Sequence, residues 1–291
     1  MESGVNLGEP ATDTVTSRDG TTVGYYTTGR GPGVILLHGA GQSSRNLRSL
    51  AAVLSDHFTV YVPDRRGRGM SPSYGEFRGL SSEIDDLSAL LEASGAAFVF
   101  GLSAGAVIAL ETALVRPAIT RLALYEPPLS FDGVVHGTWV PRYEREIAAN
   151  RPGSALVAVL RDTADRRSIT RYLPEFLLGA PLNFILKRSA DRPPPPGALS
   201  PRELIPTLHY DAQTVLQAAG PLERFAELHC RVLLLGGSKS ARNLAASLHG
   251  LSDVLPHATL IELHGVGHTA ADNSRRPDLV AAELSTFFAA R

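Results

Sequence analysis

The sequence predicts an α/β protein: a mostly parallel sheet flanked by helices. Two observations predict it. Short apolar runs stop abruptly at Gly or Pro, and longer stretches of helical period fill the gaps between them. Runs bounded in this way are strands buried on both faces, and strands that alternate with helices imply right-handed βαβ units.

Residues 14–17 and 22–28, split by Asp19-Gly20, predict a leading antiparallel hairpin. Val34-Ile35-Leu36-Leu37 is the first continuous apolar run and ends at His38-Gly39. Further runs lie at 58–62, ending at Pro63-Asp64, at 98–100, ending at Gly101, and at 122–125, ending at Glu126-Pro127. Two come late: 232–235 before Gly236-Gly237, and 260–263 before His264-Gly265. Crossover and closing helices are expected at 46–55, 80–94, 104–115, 241–255 and 277–290. Residues 128–229 break this rhythm. They carry helical patterns near 141–150, 154–160, 169–178 and 210–219, and no clear buried strand. Within them Arg192-Pro193-Pro194-Pro195-Pro196-Gly197 must be extended.

The 291 residues include 28 Lys+Arg against 29 Asp+Glu, a formal net charge of −1. That balance argues against partners recognised by bulk charge, such as a nucleic-acid backbone or an anionic membrane. Hydrophobic residues at 44% suit a large core and exclude disorder. Cys230 is the only cysteine, so no internal disulfide and no cysteine metal cluster is possible. Its expected role is an inert core thiol. Residues 1–10 lack a signal-peptide pattern, and no stretch approaches the ~18 apolar residues of a membrane span. The expectation is a cytoplasmic protein.

Gly101-Leu102-Ser103-Ala104-Gly105 lies between a predicted strand and a predicted helix, the context of a G-x-S-x-G nucleophile elbow. The small residues permit a tight turn that lifts the serine oxygen above the sheet edge. The Ala104 N–H at the helix start then faces a developing oxyanion. His38-Gly39-Ala40-Gly41 follows a buried run at the same edge, where the Ala40 N–H is the second oxyanion donor. His38 itself is expected to hold this loop. A serine hydroxyl is a poor nucleophile until a base takes its proton. Of nine histidines, His268 in Gly265-Val266-Gly267-His268 is the best placed, with His264 as rival. His57, His136, His209, His229, His249 and His257 are expected to be exposed or simply hydrogen-bonded.

These motifs resemble those of the large bacterial group of α/β-hydrolases. In that family a His-Gly-x-x element, an Asp-Arg-x-Gly-x-Gly-x-Ser loop, the elbow and a late Gly-His occur in this order. The second element here is Asp64-Arg65-Arg66-Gly67-Arg68-Gly69-Met70-Ser71. The resemblance implies the α/β-hydrolase fold with an inserted helical lid: a core of residues 1–128 and 230–291, and a lid of 129–229. Asp64, beside three arginines, is expected to pin its own loop by ion pairs and turn hydrogen bonds.

The chain departs from the family in three places, one of them the end of the elbow, Ala104-Gly105, where many relatives have Gly-Gly. Leu102 precedes the nucleophile where many relatives have His. The family often has an Asp shortly after the fifth parallel strand, but here that stretch is Gly236-Gly237-Ser238-Lys239-Ser240, and no Asp or Glu occurs between Glu227 and Asp253. Some members carry the acid one strand earlier, which points to Glu126 in Tyr125-Glu126-Pro127-Pro128. Asp211, in the expected lid, is the rival, and a site without an acid is the third option.

The expected activity is that of a cofactor-free serine hydrolase, without metal, cleaving an ester, thioester or lactone of a small apolar molecule through an acyl-enzyme. Trp139, Tyr143, Phe176, Phe184 and Tyr210 of the lid are expected to line an apolar substrate pocket. The departures leave open a non-hydrolytic lyase or cyclase acting on a natural-product intermediate. A non-catalytic small-ligand receptor is the third class, disfavoured by the presence of both Ser103 and His268.

Overall fold

The computed structural model describes residues 11–163, 173–189, 199–255 and 257–290. Strands β1 (Ala11–Thr16) and β2 (Thr22–Thr28) form the leading hairpin. Strands β3 (Gly33–Leu37), β4 (Thr59–Pro63), β5 (Phe98–Leu102), β6 (Arg121–Tyr125), β7 (Arg231–Gly237) and β8 (Thr259–Leu263) run parallel. The sheet order is β1-β2-β4-β3-β5-β6-β7-β8, with β2 antiparallel to β4. Each run expected from the sequence is a strand, with 22–28 unchanged, 58–62 shifted by one residue and the others differing by one to three residues at one or both ends.

The continuous apolar runs follow from covering both faces. Successive side chains of a strand point to opposite sides. Ile35, Val99, Leu122, Leu124 and Leu234 face one core, shared with helices α2 (Leu80–Ser94), α3 (Ala104–Val115) and α9 (Arg242–Val254). Their neighbours Val34, Leu36, Phe100, Leu102, Ala123 and Leu233 face the other, shared with α1 (Arg48–Leu54) and α10 (Pro277–Ala289). All these strand residues are buried. Cys230 sits half-buried just ahead of β7, where burial pushes its thiol up to about 11, consistent with an inert role.

Between β6 and β7 the described residues form helices only: α4 (Val140–Ala148), α5 (Pro152–Thr163), α6 (Glu175–Ser189), α7 (Pro201–Leu204) and α8 (Leu208–Gln217), with short 3-10 turns. They bury their own cluster of Tyr143, Ala155, Val159, Leu186, Ile205 and Leu208. Of the helix expected at 169–178, residues 169–172 lie outside the described residues; the described helix begins at Glu175 and runs past Pro181. A proline deletes one backbone hydrogen bond but does not end a helix that is packed along its length, as α6 is against α5. The Pro193–Pro196 run lies outside the described residues. No helix among the described residues is long and apolar enough to cross a membrane.

Candidate active site

The carboxyl ends of β3, β5, β6 and β8 bring the sequence-selected groups to one edge of the sheet. Ser103 occupies the junction of β5 and α3 with φ 55° and ψ −118°, a conformation L-residues seldom adopt. Both elbow glycines are required by close backbone approach. A Cβ at Gly101 would lie 2.4 Å from the Gly105 carbonyl oxygen, and one at Gly105 would lie 2.6 Å from that of His38. The Ser103 N–H donates to the Tyr125 carbonyl at 2.9 Å, tying the elbow to β6.

His268 follows β8 and is buried. Tyr125 Oη donates to the carbonyl of Gly267 at 2.8 Å, which fixes the loop beside it. His268 Nε2 lies 3.0 Å from Ser103 Oγ, and Nδ1 lies 2.7 Å from Glu126 Oε2. A carboxylate only accepts, so Nδ1 carries a hydrogen and Nε2 is left to accept the serine proton. Glu126 stands at the end of β6 with φ 47°, followed by two prolines that restrict its backbone. Its other oxygen, Oε1, accepts the Gly237 N–H at 2.6 Å. The last residue of β7, beside the stretch where an acid was expected from the resemblance, here contributes a backbone donor to the carboxylate of the neighbouring strand. Lys239 and the rival base His264 are exposed.

The loop that carries Ala40 is organised by side chains that bond the amides on either side of it. The Gly39 N–H donates to Gln42 Oε1 at 2.9 Å and the Gly41 N–H to Asp211 Oδ2 at 2.8 Å. Among the described residues no acceptor takes the N–H of Ala40, nor that of Ala104 at the start of α3. Those two amides remain available to a ligand. Asp211, the rival acid, makes no hydrogen bond to His268, whose Nδ1 is taken by Glu126. Arg68 holds it at 3.1 Å, and Arg65 Nη1 lies 2.9 Å away in an ion pair whose angle is poor for a hydrogen bond. Burial raises the pKa of such a carboxyl, but Arg68 and Arg65 outweigh it and hold Asp211 below the usual carboxylate range.

His38 is fully buried. Its Nε2 accepts the Arg65 N–H at 3.2 Å and its Nδ1 bonds the Gly39 carbonyl at 2.9 Å, so it holds the loop. Burial, with Arg68 and Arg65, pushes it well below the usual histidine range. Asp64 pins its loop through the amides of Ser44 at 2.7 Å and Met70 at 2.9 Å, but not through the expected ion pairs. The arginines pair elsewhere: Arg65 with Glu83, Arg66 with Asp86 and Asp19, Arg68 with Asp211. Turn geometry aims Asp64 at backbone donors and its arginine neighbours away from it.

Two cavities meet at Ser103, one of about 310 Å³ and one of about 50 Å³. Of the five aromatic residues expected in the pocket, Trp139 lines the smaller cavity. Three others do not line either. Tyr143 is buried in the insertion with its hydroxyl donating to Ile205 O at 2.7 Å. Tyr210 stacks on Tyr74 at 3.7 Å. Phe184 is on the outer face of α6 and 63% exposed. The side chain of Phe176 lies outside the described residues. Aliphatic residues take their place: Leu156, Val159, Leu160, Leu204, Ile205 and Leu208 wall the larger cavity. His136, expected to be an ordinary surface or hydrogen-bonded residue, is buried in the wall of the smaller one. Nothing in its flanking sequence marks that position.

Comparison with known proteins agrees with this architecture. The chain is 28% identical to the uncharacterized hydrolase YraK of Bacillus subtilis over 156 residues, 51% of this chain and 57% of that protein. It is 29% identical to a pimeloyl-[acyl-carrier protein] methyl ester esterase of Xanthomonas campestris pv. campestris, over 90% of this chain and 97% of the relative. The crystal structure of an alpha/beta hydrolase from Sphaerobacter thermophilus superposes with a TM-score of 0.73 at 31% identity, covering 95% of this chain and all of that one. The sequence model of the alpha/beta hydrolase family matches residues 34–283, and the chain belongs to that family of enzymes.

Proposed function

We propose that the protein is a cofactor-free serine hydrolase that cleaves an ester, thioester or lactone of a small, mostly apolar molecule through an acyl-enzyme. One observation carries the reading: the unbroken chain from Ser103 Oγ through the His268 ring to Glu126, at 3.0 and 2.7 Å. His268 Nε2 takes the serine proton as Oγ attacks the carbonyl. The Ala40 and Ala104 amides hold the oxyanion, and His268 returns the proton to the leaving group. A water activated by the same ring then releases the acyl group. Glu126 keeps the ring in the required tautomer and stabilises the imidazolium.

The apolar cavity walls and the methyl ester esterase among the relatives support an ester-type substrate. Residues 129–229 act as a lid, because they supply half of the larger cavity's wall, opposite the sheet edge that carries Ser103 and His268. The lyase or cyclase reading drew on the missing usual acid and on Leu102 before the nucleophile. With Glu126 beside His268, no observation favours it.

A fluorophosphonate probe tests the reading. It should label the wild-type protein at Ser103, as read by peptide mass, and leave Ser103→Ala unlabelled. Labelling that is absent, or unchanged in Ser103→Ala, contradicts a serine nucleophile at this position.

A further inference from the structure

We propose that the site selects substrates whose two arms on the reacting carbonyl differ greatly in size, one a short unbranched alkyl arm and the other a long apolar chain. The proposal rests on the serine hydrolase reading and names the substrate class of that site. The two cavities share only Ala40, Ser103, Val159 and His268 in their walls. A carbonyl held between Ser103 Oγ and the Ala40 and Ala104 amides therefore sends one substituent into each. At about 30 Å³ per water-sized group, volumes of about 310 and 50 Å³ hold roughly ten and roughly two non-hydrogen atoms.

The short arm must also be apolar. The smaller cavity is closed by Pro128, Trp139, Val215 and Leu244, with His136 and Asp211 as its polar members beyond the catalytic groups. Neither polar member has capacity to spare. The Ser247 hydroxyl donates to the carbonyl of Leu129 at 3.1 Å or of Asn243 at 3.2 Å, so its oxygen accepts the His136 Nε2–H at 3.1 Å. Asn243 Nδ2 donates to His136 Nδ1 at 3.3 Å. His136 is thereby a neutral ring with both nitrogens engaged, and burial with the nearby His268 keeps it so by lowering it to about 4. Asp211 is occupied by Gly41, Arg65 and Arg68. A hydroxyl, amide or carboxylate on the short arm would lose its water and find neither His136 nor Asp211 free to replace it, which leaves the Trp139 indole N–H as the one side-chain donor beyond the catalytic groups.

Three isomeric esters of one molecular formula test this with bulk hydrophobicity held nearly constant: methyl decanoate, nonyl acetate and pentyl hexanoate. One of the two lopsided isomers should exceed pentyl hexanoate in kcat/KM by at least ~10-fold, since a mid-length arm must leave several methylenes outside the smaller cavity. Which isomer wins assigns the short arm to the alcohol or the acyl side. Trp139→Ala, which enlarges the smaller cavity, should narrow the gap. Equal rates for all three isomers overturn the proposal.

A binding measurement separates this proposal from the hydrolase reading. Trp139 is the only tryptophan in the chain, so its fluorescence reports the smaller cavity directly. Titration with the unreactive ketones undecan-2-one and undecan-6-one should give at least ~10-fold tighter binding of the first. Equal affinities overturn the proposal. Tighter undecan-2-one with no hydrolysis of any ester supports the cavity assignment and counts against the hydrolase reading instead.

Discussion

Asp211 accepts the Gly41 N–H at 2.8 Å, and so joins helix α8 of the insertion to the loop that carries the Ala40 amide. Its charge is balanced by Arg68 and Arg65, with Glu83 behind Arg65. The oxyanion loop and the insertion are one electrostatic unit.

Asp211→Asn should therefore act on stability. It leaves two buried guanidiniums with one carboxylate, and breaking a buried pair costs about 3 kcal/mol or more. Urea unfolding at pH 7 should show that loss. Because the folded-state carboxyl lies below its ordinary range, its stabilisation is complete above about pH 4 and fades as pH falls through the folded value. The gap between wild type and variant should close in acid. A gap that is constant with pH would contradict a charge role for Asp211.

His136 gives a pH dependence of different position. Burial lowers it from 6.5 to about 4, so the unfolded chain takes up the proton first as pH drops. Its contribution is fully present above about pH 6.5 and declines between there and about pH 4. The loss is on the order of 3 kcal/mol. His136→Gln should flatten this part of the stability profile relative to wild type, as read by urea midpoints at pH 7, 5.5 and 4. Parallel profiles would contradict it.

Ser103 pays in stability for its position. Its φ of 55° with ψ of −118° is a glycine-like conformation, and such strain costs about 1–3 kcal/mol. Ser103→Gly should abolish turnover and raise the melting temperature, whereas Ser103→Ala should abolish turnover with little change. A Ser103→Gly protein that melts below Ser103→Ala would show that the elbow is not strained.

Much of this was legible in the sequence, for identifiable reasons. Strands buried on both faces, such as Val34–Leu37 and Leu122–Tyr125, announce themselves as unbroken apolar runs because both neighbouring residues are in a core. The elbow is legible because only glycine tolerates the backbone contacts at 101 and 105. The cavity was not. Whether an insertion aromatic faces the site or solvent depends on how α4 to α8 pack on one another: Tyr143, flanked by charged residues, is buried, and Phe184, followed by apolar ones, is exposed. Asp64 and Asp211 exchanged the partners expected for Asp64, because a side chain's nearest neighbours in sequence are not those that a turn brings to it.

The most direct test of the account is the turnover of Glu126→Gln on p-nitrophenyl hexanoate, measured beside wild type under saturating substrate. Gln keeps an acceptor for the Gly237 amide but removes the charge that stabilises the His268 imidazolium as it forms. Amide replacement of the acid in serine proteases lowers kcat by roughly four orders of magnitude. The kcat of Glu126→Gln should fall by at least ~100-fold with KM little changed, since the interaction strengthens only in the transition state. A Glu126→Gln enzyme that turns over at nearly the wild-type rate would contradict the assignment of Glu126 as the acid.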